Sequence, residues 1–258
     1  MPKFAANLSM MFNELPFPER FAAAAKAGFK GVEFLFPYDY PAADVARWLN
    51  DAGLTNALFN LPPGDFAGGE RGIASLPGRE DEFRAGVATG IEYALTMGTP
   101  TLHAMAGLMP VGADCAAYRS SYVANVAHAA RELGKHGLTL VIEPINTRDM
   151  PGYFINTQAE GHALREEIGE SNLKVQFDFY HAQIMEGDLS TKLRQYIAHV
   201  GHVQIASVPA RHEPDEGEVN YPHLFALLDE LGYAGWVGCE YRPRGKTEDG
   251  LGWFTALK

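Results

Sequence analysis

The sequence has few cysteines and little positive charge, and it lacks any long hydrophobic run. Cys115 and Cys239 lie far apart and match no metal or redox spacing, so a disulfide framework is not expected. With 21 Lys and Arg against 32 Asp and Glu, the net charge of −11 would repel a phosphate backbone, so nucleic acid is not expected as a partner. No segment approaches the roughly 18 apolar residues of a membrane helix, and the first residues do not form a signal peptide. We therefore expect a cytoplasmic protein that does not bind membranes.

The sequence does contain a regular alternation of short apolar runs and longer segments with helical periodicity. This pattern is typical of βα units that build a parallel sheet. Eight such units fill the 258 residues, a usual length for one barrel, and no Gly-rich nucleotide loop follows the first strand. We predict a single (β/α)₈ TIM barrel domain over residues 1–258. The predicted strands are 4–8, 31–36, 54–59, 101–105, 138–143, 174–178, 202–206 and 236–241.

Two long irregular segments follow the third and seventh predicted strands, at residues 61–79 and 207–220. In a TIM barrel the loops that follow strands lie on the catalytic face, so both segments are expected to cover a substrate. Three aromatic residues at the end of the second predicted strand and just after it, Phe36, Tyr38 and Tyr40, fit either a pocket or a subunit contact in a homo-oligomer. The sequence leaves these two roles open.

Polar side chains stand at the ends of four successive predicted strands: Glu143, Asp178, Gln204 and Glu240. Since strand ends converge in this fold, we expect the four side chains to meet. Three carboxylates and one amide oxygen suit Mg²⁺ or Mn²⁺ better than Zn²⁺ or copper, and a divalent cation would also offset the repulsion between the carboxylates. Taken singly, each residue also has a structural explanation as a loop cap, a helix cap, a core amide or an ion-pair partner.

Carboxylates that bind a metal can also transfer protons. Removing a proton next to a carbonyl requires a base near the carbon and positive charge near the oxygen. We therefore predict that Glu143 and Glu240 are both metal ligands and an acid–base pair. The corresponding reaction is an aldose–ketose isomerisation.

Three further residues are candidate substrate contacts. His181 lies three positions after Asp178 and could bond a substrate oxygen, or it is a surface or helix-capping imidazole. His103 in the fourth strand could line the pocket, or it is a buried structural residue. Arg211 could neutralise an anionic substrate group, or it pairs with an acidic neighbour in its own loop. Those neighbours are Glu213, Asp215 and Glu216.

Several longer runs carry a family resemblance. They are NLSMMF (7–12), GVEFLFPYDY (31–40), NLPPGD (60–65), ERGIASLPGRE (70–80), IEPIN (142–146), HEPDEGEVNYP (212–222) and GWVGCEYRP (235–243). With these motifs the sequence resembles the hydroxypyruvate isomerase family, including its 2-oxo-tetronate isomerase branch, among the xylose-isomerase-like barrels. The resemblance implies the same four metal ligands and the same acid–base pair. In the related ketose 3-epimerases the third ligand is usually a histidine, whereas Gln204 stands here.

The resemblance implies interconversion of hydroxypyruvate and tartronate semialdehyde, or of the one-carbon-longer 2-oxo-tetronate pair, and the motifs leave the choice open. Three alternatives are a ketose 3-epimerase, a non-catalytic sugar-acid binding protein and a barrel endonuclease of the abasic-site type. Gln204 argues against the epimerase. The endonuclease needs a His-rich multi-zinc cluster and a basic face.

Overall fold

A closed barrel of parallel strands forms the centre of the computed structural model, which describes residues 2–256. Each strand pairs with the next in chain order, and the last pairs with the first, where Phe4 lies beside Val237. The strands are β1 Lys3–Asn7, β2 Gly31–Phe34, β3 Thr55–Asn60, β4 Thr101–His103, β5 Thr139–Ile142, β6 Leu173–Asp178, β7 Val200–Ile205 and β8 Trp236–Cys239. The predicted (β/α)₈ fold is confirmed. Of the predicted domain 1–258, residues 1, 257 and 258 lie outside the described residues.

All eight predicted strands are found, and six of them end one or two residues earlier than predicted, among them the fifth and the eighth. Glu143 and Glu240 each lie one residue past their strand. Pro144 follows Glu143 directly, and proline has no amide hydrogen for a strand ladder, so β5 ends before it. Both glutamates are therefore the first residues to leave the sheet at the mouth of the barrel.

Helices follow the strands around the outside of the barrel. They are α1 Phe17–Lys26, α2 Ala42–Ala52, α3 Glu80–Met97, α4 Cys115–Gly134, α5 Gln158–Ile168, α6 Phe179–Met185, α7 Leu189–Tyr196, α8 Tyr221–Glu230 and α9 Gly252–Thr255. The carboxylate of Asp178 accepts a hydrogen bond from the Tyr180 amide and so caps α6 directly after β6. Within residues 2–256, no helix combines the length and the apolar character of a membrane span.

The interior of the barrel is polar near the mouth, although the layer between strands and helices is apolar. Five interior side chains, each at most 2% exposed, bond to one another across the barrel. They are Asn7, Glu33, Gln176, His202 and Gln204. Buried polar groups need partners, so this network constrains which way each side chain can face.

The segments 61–79 and 207–220 are irregular loops, as predicted. The first loop is fixed against the end of β4, because Gly72 forms an antiparallel bridge with Ala106 and its amide bonds the Pro63 carbonyl. Gly72 has φ +101°, and a Cβ there would lie 2.3 Å from the Met105 carbonyl oxygen, so only glycine fits this close approach. Both loops contribute side chains to the cavity described next.

Candidate functional site

A cavity of about 320 Å³ opens at the carboxyl ends of the strands. Its walls include six of the seven predicted site residues: Glu143, Gln204, Glu240, His181, His103 and Arg211. This volume is at the lower end of the range for small-molecule sites, so it suits a substrate of few atoms. The structure thus brings side chains from distant parts of the chain to one small pocket.

Four buried side chains form a tight cluster at the base of this cavity: Glu143, Asp178, His181 and Glu240. One potential ligand atom from each lies within 4.8 Å of those of the others. Two oxygens, Glu143 Oε1 and Asp178 Oδ2, are buried and have no hydrogen-bond partner among residues 2–256. Buried acceptors without a donor are costly, and a divalent cation would satisfy both at once. The donor set therefore fits a metal ion.

Burial and mutual repulsion set the protonation of these carboxyl groups. Burial, with the neighbouring charges of Glu240 and Asp178, raises the pKa of Glu143 well above its usual value. Burial raises the pKa of Asp178 to about 6 and that of Glu240 to about 8, although Arg211 acts in the opposite direction on both. Without a cation, the cluster holds protons at neutral pH that a bound cation would displace.

Gln204 lies beside the cluster with its amide orientation fixed from both sides. Its Nε2 donates to Glu33 Oε1 at 2.7 Å, and its Oε1 accepts from Gln176 Nε2 at 2.6 Å. An amide oxygen has two lone pairs, so Oε1 retains one for a cation. The predicted role of Gln204 as a metal ligand is compatible with this orientation and stays a prediction.

Glu33 is a buried residue of the site that the sequence analysis missed. It is fully buried in β2, and besides Gln204 it accepts a hydrogen bond from Asn7 Nδ2 at 2.9 Å and contacts His202 Nε2 at 2.6 Å. The available signal was one acidic residue inside the apolar run GVEFLF. Because Glu33 can only accept hydrogen bonds when ionised, it forces the NH₂ group of Gln204 towards itself.

His181 is held in one tautomer by Asn146. The Asn146 Oδ1 accepts from the Asp149 amide at 2.7 Å, so its Nδ2 faces His181 Nδ1 at 2.6 Å, and the Asn146 backbone N–H also points to Nδ1. Nδ1 is therefore an acceptor and the ring proton lies on Nε2, which is 3.5 Å from Asp178 Oδ2 and 4.0 Å from Glu143 Oε1. Burial and the charge of Arg211 lower the pKa of His181 well below 6.5, so the ring is neutral. His181 thus offers a hydrogen-bond donor to the cavity.

His103 lines the cavity as a neutral imidazole. Burial lowers the pKa of His103 to about 3, and its Nδ1 lies 3.2 Å from Asn60 Oδ1 and 3.8 Å from Glu143 Oε2. Its Nε2 is buried and bonds to no atom in the part of the chain that the structure describes. The ring therefore has an open position for a substrate group.

Arg211 is buried in the wall of the cavity and is already neutralised by the protein. Its guanidinium contacts Glu240 Oε2 at 2.6 Å and Asp149 Oδ2 at 3.0 Å, and it lies 4.8 Å from the ring centroid of Tyr180. The alternative pairing with acidic neighbours in its own loop is wrong, because those residues all bind Arg244. They are Glu213, Asp215 and Glu216.

The fold and the cluster define a TIM-barrel protein with a carboxylate site at the strand ends. Comparison with known proteins identifies the family within this class. A family model described as xylose isomerase-like TIM barrel matches residues 21–257, and the chain belongs to this family. It is 59% identical to the 2-oxo-tetronate isomerase of Cupriavidus necator and 46% identical to the hydroxypyruvate isomerase of Escherichia coli, in each case over 98% of both chains. A crystal structure from Brucella melitensis described as AP endonuclease, family 2, is 56% identical over 100% of both chains, with a TM-score of 0.98. The family resemblance and the prediction of an isomerase are confirmed.

The raised carboxyl pKa values predict how the stability of the metal-free protein depends on pH. Asp178 and Glu240 titrate at about 6 and about 8 in the folded protein, above their ordinary values of 3.8 and 4.5. The folded state binds these protons more tightly, so their contribution to stability is full below pH 3.8 and is lost as the pH rises through 6 and 8. In EDTA we expect the Tm to fall by about 5 °C or more between pH 5 and pH 8.5.

Saturating Mn²⁺ should restore the Tm at pH 8.5, because binding to the folded state alone stabilises it. The variant Asp178→Asn removes one of the titrating groups and should show a smaller fall in EDTA. A Tm in EDTA that is constant or rises over this pH range would contradict the prediction.

The orientation of Gln204 predicts a role for Glu33 in metal binding. In Glu33→Gln an NH₂ group replaces one of the two oxygens, so the amide of Gln204 is no longer held in one orientation. We expect the Kd for Mn²⁺, measured by calorimetry, to rise about 10- to 100-fold, as is typical when an outer-shell partner is lost. Glu92→Gln, at an exposed position on α3, is the matched control and should bind as the wild type does. An unchanged Kd in a folded Glu33→Gln variant would assign Glu33 to stability alone.

Proposed function

We propose that this chain is a metal-dependent aldose–ketose isomerase that acts on a small oxo acid. The substrate pair is hydroxypyruvate and tartronate semialdehyde or the longer 2-oxo-tetronate pair, and the higher identity to a 2-oxo-tetronate isomerase favours the longer pair. The observation that carries the proposal is the placement of Glu143 and Glu240. They follow strands that are three positions apart around the ring, so they approach the same small volume from two sides.

Isomerisation moves one hydrogen between adjacent carbons. For hydroxypyruvate, a base removes a proton from the hydroxymethyl carbon, and the electrons shift to the neighbouring carbonyl to give an enediol(ate). The former carbonyl carbon then accepts a proton, while the hydroxyl proton of the first carbon passes to the former carbonyl oxygen, which leaves an aldehyde beside a secondary alcohol. One glutamate takes the first proton, and either the same glutamate or its partner returns one. Glu143, Asp178, Gln204 and Glu240 would hold a divalent cation, Mg²⁺ or Mn²⁺, which would supply positive charge for the oxygens that become negative.

The remaining residues position the substrate and the acid–base pair. His181 donates through Nε2–H to a substrate oxygen, and its tautomer is fixed before the substrate arrives. Arg211 holds Glu240 in place by its contact at 2.6 Å and approaches the substrate from the loop after β7. His103 forms part of the opposite wall near Glu143. Prearranged donors of this kind stabilise charge that develops during proton transfer.

An endonuclease is the competing proposal, because the Brucella structure carries that description. A multi-zinc endonuclease requires a His-rich ligand cluster, whereas the one candidate cluster among the described residues contains a single histidine. The net charge of −11 also disfavours a nucleic-acid partner. Three further expectations stay predictions: a small-molecule substrate, a cytoplasmic location and assembly into a homo-oligomer. A non-catalytic sugar-acid binding protein would bind the substrate without converting it, so a turnover measurement distinguishes it from the isomerase.

A substrate panel tests the proposed reaction. We expect turnover of hydroxypyruvate or of a 2-oxo-tetronate, loss of turnover in EDTA, and recovery with Mg²⁺ or Mn²⁺. Free ketoses test the epimerase alternative, and a fluorescent abasic-site oligonucleotide tests the endonuclease. Full activity of protein shown by elemental analysis to be free of metal would contradict the metal-dependent mechanism.

Glutamine substitutions separate metal binding from proton transfer. Glu143→Gln and Glu240→Gln keep a carbonyl oxygen for the metal but cannot accept a proton, so each should retain metal and lose turnover by about 10²–10⁴-fold. If one glutamate alone removes the substrate proton, the variant of the other should still exchange solvent deuterium into substrate without forming product. Wild-type turnover in both metal-bound variants would assign the chemistry to other groups, with His181 the next to test.

A further inference from the structure

Three arginines line the cavity, and they differ in how far their charge is already matched by the protein. They are Arg71, Arg211 and Arg242. A substrate with a carboxylate needs one of them as its partner, since an anion in a cavity already rich in acidic groups would otherwise be repelled. Which arginine is available follows from the contacts that each one makes.

Arg211 is the least available of the three. The residue is 7% exposed, and its guanidinium lies against two carboxylates, Glu240 and Asp149. A substrate carboxylate at this position would compete with Glu240 for the same donors and would add a negative charge beside it. We therefore assign Arg211 mainly to the positioning of Glu240.

Arg71, in the loop after β3, carries a positive charge with no carboxylate partner among residues 2–256. Its hydrogen bonds in the structure run from Nη1 to two backbone carbonyls, those of Phe66 at 3.1 Å and Glu70 at 2.7 Å. The neighbouring carboxylate of Glu70 binds Arg79 and the Asp65 amide instead. The Nε and Nη2 donors of Arg71 are therefore free to form the paired hydrogen bonds that a guanidinium makes with a carboxylate.

The position of Arg71 is fixed before any substrate binds. Its guanidinium carbon lies 4.3 Å from the ring centroid of Phe66, and that ring packs edge-on against Phe36 with centroids 4.9 Å apart. The next residue, Gly72, is bridged to the end of β4. Arg242 differs because it is exposed and only its backbone forms hydrogen bonds, so its side chain has no orienting contact within residues 2–256. Of the three arginines, Arg71 is both charged without a partner and held in place.

We propose that Arg71 binds the carboxylate of the substrate and sets the preference for oxo acids over neutral ketoses. This inference rests on the proposed isomerase function. In a ring of eight strands β3 lies opposite β7, so the loops that carry Arg71 and Arg211 start on opposite sides of the mouth, and both residues line the cavity between them. The substrate then extends from Arg71 towards the cluster, with its carboxylate away from the acidic groups and its reacting carbons near Glu143 and Glu240.

Two matched substrates test the role of Arg71. Hydroxypyruvate and dihydroxyacetone differ in that a carboxylate replaces a hydroxymethyl group, and deuterium exchange followed by NMR measures proton transfer for both. In Arg71→Met we expect KM for hydroxypyruvate to rise about 10- to 100-fold, the size expected when a charged hydrogen-bond partner is lost, with a much smaller change for dihydroxyacetone. Arg71→Lys and added methylguanidinium should each restore part of the loss. Arg47→Met, on the exposed face of α2, removes the same charge and is the control.

Binding without turnover separates this inference from the proposed function. Calorimetry with the Mn²⁺-loaded protein compares glycerate with glycerol, which again differ by one carboxylate. Weaker glycerate binding in Arg71→Met supports the inference even if the wild type isomerises no oxo acid, a result that would reject the proposed function alone. The inference would be overturned if Arg71→Met weakened the binding of glycerate and glycerol equally. It would also be overturned if Arg211→Met, and not Arg71→Met, weakened the binding of glycerate selectively.

Discussion

Four carboxylates lie buried in the mouth of one barrel, and their mutual repulsion must be offset in surroundings that screen charge poorly. Glu33 is matched by donors from Asn7, His202 and Gln204, and Glu240 is matched by Arg211. Glu143 and Asp178 each keep an oxygen without a donor in the described part of the chain. The repulsion between Glu143 and Asp178 is therefore not offset by hydrogen-bond donors of the protein. A cation bound between these two carboxylates would offset it.

Asp178, Gln204 and Glu240 have the structural roles that each could have singly, and these roles are compatible with the proposed metal binding. Asp178 caps α6 with Oδ1 and presents Oδ2 to the cluster. Gln204 is a satisfied core amide whose oxygen still has a lone pair, and Glu240 is an ion-pair partner that also belongs to the cluster. In each of these side chains one interaction fixes the orientation, so the oxygen proposed to bind the metal is already in place. Hydrogen bonds from surrounding residues that fix the orientation of the ligand side chains are typical of metal sites.

The fold and the cluster could be predicted because both depend on local sequence signals. Apolar runs mark the strands, and polar residues at strand ends converge in any barrel, so Glu143, Asp178 and Glu240 were found without their partners. Glu33 was missed because its partners Asn7 and Gln204 lie 26 and 171 positions away and meet it only when the barrel closes. The pairing of Arg211 was equally hidden, since three nearby acidic residues bind Arg244 instead.

The separation between Arg211 and Arg71 has a consequence for catalysis. The protonation of Glu240 depends on its contact with Arg211, which opposes the effect of burial on its pKa. If the substrate carboxylate were bound at Arg211, binding would weaken that contact and favour protonation of Glu240 when a base is needed. A carboxylate bound at Arg71, as proposed, would leave this ion pair intact, because Arg71 belongs to the loop after β3 and has no contact with Glu240 in the structure. Under the two proposals, recognition of the substrate charge and control of the acid–base pair belong to different arginines of this barrel.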